Sequence, residues 1–275
     1  MKNQIKPTHR ISCGSGIAFT LITVALLAAA RPVAGQPIYS TAFEPNEGYL
    51  ADNALAGQDS WIAPPPFSPN AAVVTSDKPT QGKQSVHVLG ADLVPQDFIN
   101  ELTDGYYECI GSYRRAVNYD TENAQTVRVS AHVRIDGPQT DIGNNFFSAA
   151  LSTRAGTILD GEPSTASVGE LAISSDGHAY AYPGNENVPT FLASVPVTRG
   201  GWHSLAIVAD FAAQESSFYV DDVLLGTIPF EPSETFTGVL LRGTILTYAA
   251  PDTAANEKAD YAAHYDKFSV NVTGK

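Results

Sequence analysis

The sequence predicts an all-β protein built as a two-sheet antiparallel sandwich, and three observations carry that reading. In Thr126–Ile135, Val127, Val129, Ala131, Val133 and Ile135 alternate strictly with Thr126, Arg128, Ser130, His132 and Arg134. A period of two marks a half-buried strand. The stretch GGWHSLAIVADFAAQESSFYVDDVLLGT, Gly200–Thr227, reads as a strand Trp202–Phe211 with two apolar faces, then a hairpin turning on Asp221-Asp222. A strand without a wet face belongs in mid-sheet, so Trp202 is expected to be largely buried. No long segment has a 3.6-residue period, which excludes a helical domain.

In chain order, Lys2, Lys6 and Arg10 precede an apolar run, Gly16–Ala30, and Val33-Ala34-Gly35 offers small residues for cleavage before Gln36. That is the pattern of an export signal over residues 1–35. A retained membrane anchor is the alternative, but the run is shorter than the roughly 20 residues a span needs. The expectation is a secreted protein, extracellular or periplasmic, with residues 36–275 forming one domain.

The expected strands are Ile38–Phe43, Ala71–Ser76, Gln84–Leu89, Thr126–Ile135, Phe146–Thr153, Val168–Ser175, His178–Tyr182, Trp202–Phe211, Ser216–Val220, Val223–Thr227, Gly238–Leu246 and Ala262–Val272. Between Gly90 and Asp120 only Arg114–Tyr119 reads as extended. A two-residue turn at Asp176-Gly177 would set Ile173 opposite Tyr180 and Leu171 opposite Tyr182, placing both tyrosines in the core. A two-residue turn at Asp221-Asp222 would set Val220 opposite Val223 and Phe218 opposite Leu225. In the last strand, alternation puts His264 and Asp266 on the face of Phe268, Val270 and Val272.

The chain carries 16 basic and 29 acidic residues. Lys2, Lys6, Arg10 and Arg31 fall in the signal, which has no acid, leaving 12 basic against 29 acidic residues. Such a surface repels phosphate backbones and anionic lipid, so neither nucleic acid nor, after signal cleavage, a membrane is the expected partner. Of the two cysteines only Cys109 lies beyond the signal, so no internal disulfide is available and the fold must rest on its core.

Motifs of chemistry are scarce. The chain has no Gly-x-Ser-x-Gly, no His-Glu-x-x-His and no phosphate-binding Gly-Lys-Ser/Thr loop. Glu44 and Glu47 lie in a loop and read as a solvated pair. Asp136, Asp141, Asn144 and Asn145 cluster in one loop and Asp221 with Asp222 in another, so structural calcium is open. Nothing matches a spaced ligand motif, so no cofactor, metal ligand or catalytic residue is assigned. His132, His178, His203 and His264 show no metal-ligand pairing.

Phe43-Glu44, Gly48-Tyr49, Leu55-Ala56-Gly57-Gln58 and Trp61, with WHSLAIVADF, FYVDDVLLG and HYDKFSV, resemble laminin-G-like domains of exported bacterial proteins. These belong to the concanavalin A-like lectin/glucanase superfamily. The resemblance implies a jelly-roll sandwich and leaves activity open, because this fold hosts lectins, glycosidases, lyases and structural modules. Asp222 stands where the hairpin of those domains usually has glycine, which predicts a wider loop. Laminarinase-type members carry Glu-x-Asp-x-x-Glu on one strand, and no Glu here has Asp at +2 and Glu at +5.

The expected function is an exported non-catalytic module that binds carbohydrate or a cell-surface or matrix partner. The alternative is a carbohydrate-active enzyme, a glycoside hydrolase or a relative of 3-keto-disaccharide hydrolases, with an unfamiliar site. Arg128, Ser130, His132 and Arg134 are the candidate ligand residues. They share the polar face of one strand, about 7 Å apart, and can donate to sugar hydroxyls or carboxylates. A solvated strand face with cross-strand ion pairs is the other reading of that row.

Overall fold

The alternation over Thr126–Asp136 (β7) is realised: Val127, Val129, Ala131, Val133 and Ile135 are 0–2% exposed, while the residues between them are half-buried. Its apolar stripe needs a facing layer, and its two backbone edges need ladders. Trp202–Asp210 (β11) pairs with one edge and Ala262–Thr273 (β15) with the other, both antiparallel. The computed structural model describes residues 35–65, 67–95, 107–117, 119, 126–139, 146–155, 167–182, 196–230, 236–247 and 261–273.

Beyond β11 come Glu215–Val220 (β12) and Val223–Pro229 (β13), and beyond β15 come Ser85–Leu89 (β4) and Ala72–Thr75 (β3). Gln36–Thr41 (β1) pairs with the other half of the β15 edge that β4 uses, completing an eight-stranded sheet. The second sheet has seven strands. Its order is Ala179–Tyr182 (β10), Ser167–Ser174 (β9), Phe146–Ala155 (β8), Phe236–Thr247 (β14), Tyr107–Ala116 (β6) and Trp61–Ile62 (β2), with Val94–Pro95 (β5) also on β6. The inner faces bury Val127, Val129, Leu205, Ile207, Phe218 and Phe268 against Phe147, Leu151, Leu171, Ile173, Val239 and Leu241. Tyr265 of β15 spans the gap, its hydroxyl 2.6 Å from the carbonyl oxygen of Arg242 on β14.

The opening aromatic residues form one end of this core. Phe43 meets Tyr49 edge-on at 5.3 Å, and Trp61 meets Phe268 at 5.6 Å. Trp61 Nε1 donates to the Tyr49 hydroxyl, and Asp59 accepts from Tyr39 and Tyr49 while pairing with Arg115. Glu44 and Glu47 prove to be loop anchors rather than a merely solvated pair. Glu47 Oε2 accepts from Thr41 Oγ1, Ala42 N and Glu44 N, and Glu44 Oε1 accepts from Lys83 N and Gln84 N.

Five expectations are corrected, four of them by a local backbone event. The Asp176 hairpin is longer than two residues: Ser174 O accepts from Gly177 N, Ser174 N donates to His178 O, and Gly177 sits at φ 84°. This loop with a left-handed glycine pairs Tyr180 with Ala172 and Tyr182 with Glu170. A one-residue slip reverses every side chain, so Ala179 and Ala181 enter the core and Tyr180 faces outward.

In β15 a bulge at Lys267, φ 48°, places Asp266 opposite His132 but Ser269 opposite Ser130. The extra residue moves His264 and Asp266 to the outer face while Phe268, Val270 and Val272 stay inside. At the other hairpin the turn is no wider than two residues, Asp221 and Asp222 standing at φ 50° and 62°. The Asp221 carboxylate holds it by accepting from Ser204 N at 2.8 Å and meeting His203 Nδ1 at 2.7 Å. Val220 faces Val223 as expected, but a register shift puts Phe218 opposite Gly226. Finally, Trp202 is only half-buried, because its side of β11 is an outer face. Of the extended piece expected at Arg114–Tyr119, residues Arg114–Ala116 are the end of a ten-residue strand, β6.

Candidate functional site

The structure brings Arg128, Ser130, His132 and Arg134 together on the outer face of the eight-stranded sheet, as β7 alternation requires. Neighbouring side chains engage three of the four. Arg128 lies 3.7 Å from Asp222 Oδ1 and 5.7 Å from the Tyr219 ring centroid. Ser130 Oγ pairs with Ser269 Oγ at 2.9 Å, and Arg134 Nε donates to Asp136 Oδ1 at 2.9 Å. Burial, followed by the charge of Lys267, holds the His132 pKa below the ordinary histidine value. Trp202 stands beside Arg134 and His264, its ring 6.2 Å from the imidazole of His264. Asp266 is committed to the chain between β3 and β4, accepting from Thr80 N and Thr80 Oγ1.

Sequence reasoning passed over the outer face of the seven-stranded sheet. There the central strands carry small side chains: Ser148, Ala150 and Ser152 on β8, with Ala172 and Ser174 on β9. Core residues Phe147, Ala149, Leu151, Leu171 and Ile173 alternate with them, so these small groups form the floor of a lane on the outer side of the sheet, although all five are buried, 0–6% exposed. Longer side chains stand on both sides of it. Tyr180 on β10 is one wall, and Leu240, Arg242 and Thr244 on β14 are the other.

Glu170 stands at one end of the lane, and Arg242 reaches over the small floor to donate to its Oε1 at 3.0 Å. Their side chains are 10% and 27% exposed. Arg242 Nε and the hydroxyl of Ser112, directly opposite it on β6, are buried with no hydrogen-bond partner. Unsatisfied buried polar groups cost about 1–3 kcal/mol each, so natural proteins keep few of them. At the turn end, Asp176 accepts from Ser174 Oγ, His178 N and Tyr180 OH. The signal that could have found this face was present: serines and alanines at every second position of two adjacent strands. Reading it required the β9–β10 register.

Among the described residues no three His, Cys, Asp or Glu side chains gather to hold a metal ion. Asp136 is taken by Lys78 and Arg134, and Asp221 by His203 and Ser204. Asp141, Asn144, Asn145 and the side chains of Cys109 and Tyr182 lie outside the described residues.

No protein-family model and no curated protein sequence matches the chain. Among solved structures, an endo-1,3-beta-glucanase from Streptomyces sioyaensis aligns with TM-score 0.54 and 13% identity over 90% of this chain and 100% of that one. A Bacillus subtilis protein of unknown function with a galectin-like fold aligns at TM-score 0.45 and 9% identity, covering 88% and 99%. The carbohydrate recognition domain of Emp46p aligns at 0.43 and 13%, covering 82% and 97%. The glucanase likeness carries the comparison, and at this identity it speaks to architecture alone. Two antiparallel sheets packed face to face, in the arrangement shared with that glucanase, give this chain the concanavalin A-like lectin/glucanase fold.

Proposed function

We propose that the protein is an exported, non-catalytic carbohydrate-binding module whose ligand lies in the small-residue lane of the seven-stranded sheet. The observation that carries this is the lane itself. A floor two strands wide is about 10 Å across, and its three registers run about 13 Å, a footprint that matches a short stretch of extended glycan, although the floor itself is closed to solvent in this structure. Tyr180 offers an aromatic wall, and Arg242 on the facing wall has an Nε without a partner. Glycosidases flank the scissile bond with two carboxylates. Among the described residues the lane's two carboxylates are both engaged, Glu170 by Arg242 and Asp176 by Ser174, His178 and Tyr180, which favours binding over hydrolysis.

The β7 row is the second reading, favoured by the half-buried aromatic rings of Trp202 and Tyr219 on the same face. One experiment separates the two. Glycan-array screening of the chain from Gln36, with calcium and with a chelator, identifies a ligand. Ala172→Leu and Arg242→Ala should then weaken binding at least tenfold, while Arg128→Ala/His132→Ala leaves it unchanged. The opposite pattern transfers the site to β7, and the absence of any glycan ligand removes the proposal. Export is tested by terminal sequencing of secreted protein, which should begin at Gln36.

A further inference from the structure

The Asp77–Gln84 connection between β3 and β4 runs beside β15 and is tied down by three carboxylates from elsewhere in the fold. Lys78 Nζ binds Asp136 Oδ2 at 2.7 Å. Thr80 N and Oγ1 donate to Asp266 Oδ2 at 2.8 and 2.6 Å. Lys83 N and Gln84 N donate to Glu44 Oε1 at 2.6 and 3.1 Å. Since Asp136 pairs with Ala262 in the ladder, the first two ties bracket His264.

His264 is 0% exposed, and neither ring nitrogen has a hydrogen-bond partner. Its Nε2 nevertheless lies 3.2 Å from Asp136 Oδ2, the oxygen that Lys78 uses. The imidazole of His87, directly opposite on β4, stacks on it at 4.3 Å and 15°, with its own Nε2 unpartnered. The charged or titratable groups around the pair are Arg134 and Asp136 from β7, His87 from β4, and Lys78 and Asp77 from the connection. One carboxylate, Asp136, therefore serves two cations already and would face a third if His264 took a proton.

We propose that Asp77–Gln84 is an acid-released strap, in which protonated His264 displaces Lys78 from Asp136 Oδ2 and frees the strap from the outer face of the sheet. With His264 neutral, Lys78 owns that oxygen and the strap is closed. With His264 charged, Lys78 meets a repelling neighbour, and two imidazolium rings stacked across adjacent strands would repel as well. Lys78 is the partner that leaves, because its side chain is 41% exposed and water can take up its charge. The strands β3 and β4 stay in place, anchored by Ala72, Val74, Val86 and Val88 in the core.

Hydrogen–deuterium exchange on the chain from Gln36, corrected for intrinsic rates, tests this at pH 7 and pH 5. Peptides covering 77–84 should lose at least tenfold in protection at pH 5 while those from β8 and β14 hold theirs. Lys78→Gln should open the strap at both pH values. His87→Gln, a milder change than replacing fully buried His264, removes the repulsion that opposes a proton on His264 and should move the onset to higher pH. A strap equally protected at both values overturns the proposal. So does loss of protection in β8 and β14 together with the strap, or an unchanged response in His87→Gln.

Discussion

The two outer faces of this sandwich treat polar side chains in opposite ways. On the eight-stranded sheet most polar groups around β7 are answered, Ser130 by Ser269, Arg134 by Asp136 and Arg128 by Asp222, the stacked His264 and His87 being the exception. On the seven-stranded sheet a charged pair lies across serines and alanines, and polar atoms beside it, Arg242 Nε and Ser112 Oγ among them, are left unanswered. The first pattern is what solvent asks of a sheet surface. The second costs stability that folding does not return, and such costs concentrate where a protein meets a ligand. A row of donors is therefore weaker evidence of a site than a donor without an acceptor.

The two tryptophans give the largest contrast. Trp61 is 0% exposed in the core, and Trp61→Ala should cost about 3–5 kcal/mol. Trp202 lies on the open face, and Trp202→Ala should cost about 1–2 kcal/mol; equal losses in urea denaturation would show that this face is as closed as the core. Next comes the ion pair. Glu170→Ala strands Arg242 and should cost about 2 kcal/mol, below the range for fully buried pairs because Arg242 is partly exposed. Arg128→Ala should stay within about 0.5 kcal/mol. A neutral Glu170→Ala would place both faces in the same class.

Acid should find the eight-stranded sheet first. Burial, then the charge of His87, holds the His264 pKa down from the ordinary 6.5 to about 4. The native state thus refuses a proton that the unfolded chain accepts. Stability is full above about pH 6.5 and declines as pH falls toward 4. Asp136 acts lower: despite burial, Lys78 and Arg134 hold its carboxyl below the usual 3.8, so its contribution persists above that value and is lost beneath it. A melting temperature constant from pH 7 to 4.5 would contradict the first of these. The smallest effect belongs to Asp222→Gly, which relieves a positive φ and should stabilise the hairpin by about 0.5 kcal/mol, readable as a small rise in melting temperature.

What the sequence determined by itself was the architecture. The period-two pattern of Thr126–Ile135, the apolar run of β11 and a hairpin at Asp221-Asp222 are local properties, and local sterics with burial suffice to make them strands and hairpins. It also put Arg128, Ser130, His132 and Arg134 on one face, because nothing interrupts alternation within β7. Tertiary structure decided everything that depends on a single inserted residue. The Lys267 bulge carried His264 and Asp266 out of the core, and the longer Asp176 loop carried Tyr180 with them to the outside. Alternation has a period of two, so one extra residue reverses every assignment downstream, and composition does not reveal where that residue falls. The stacking of His87 on His264, and the reach of Arg242 to Glu170, join strands distant in the chain and exist only once the sheets have assembled.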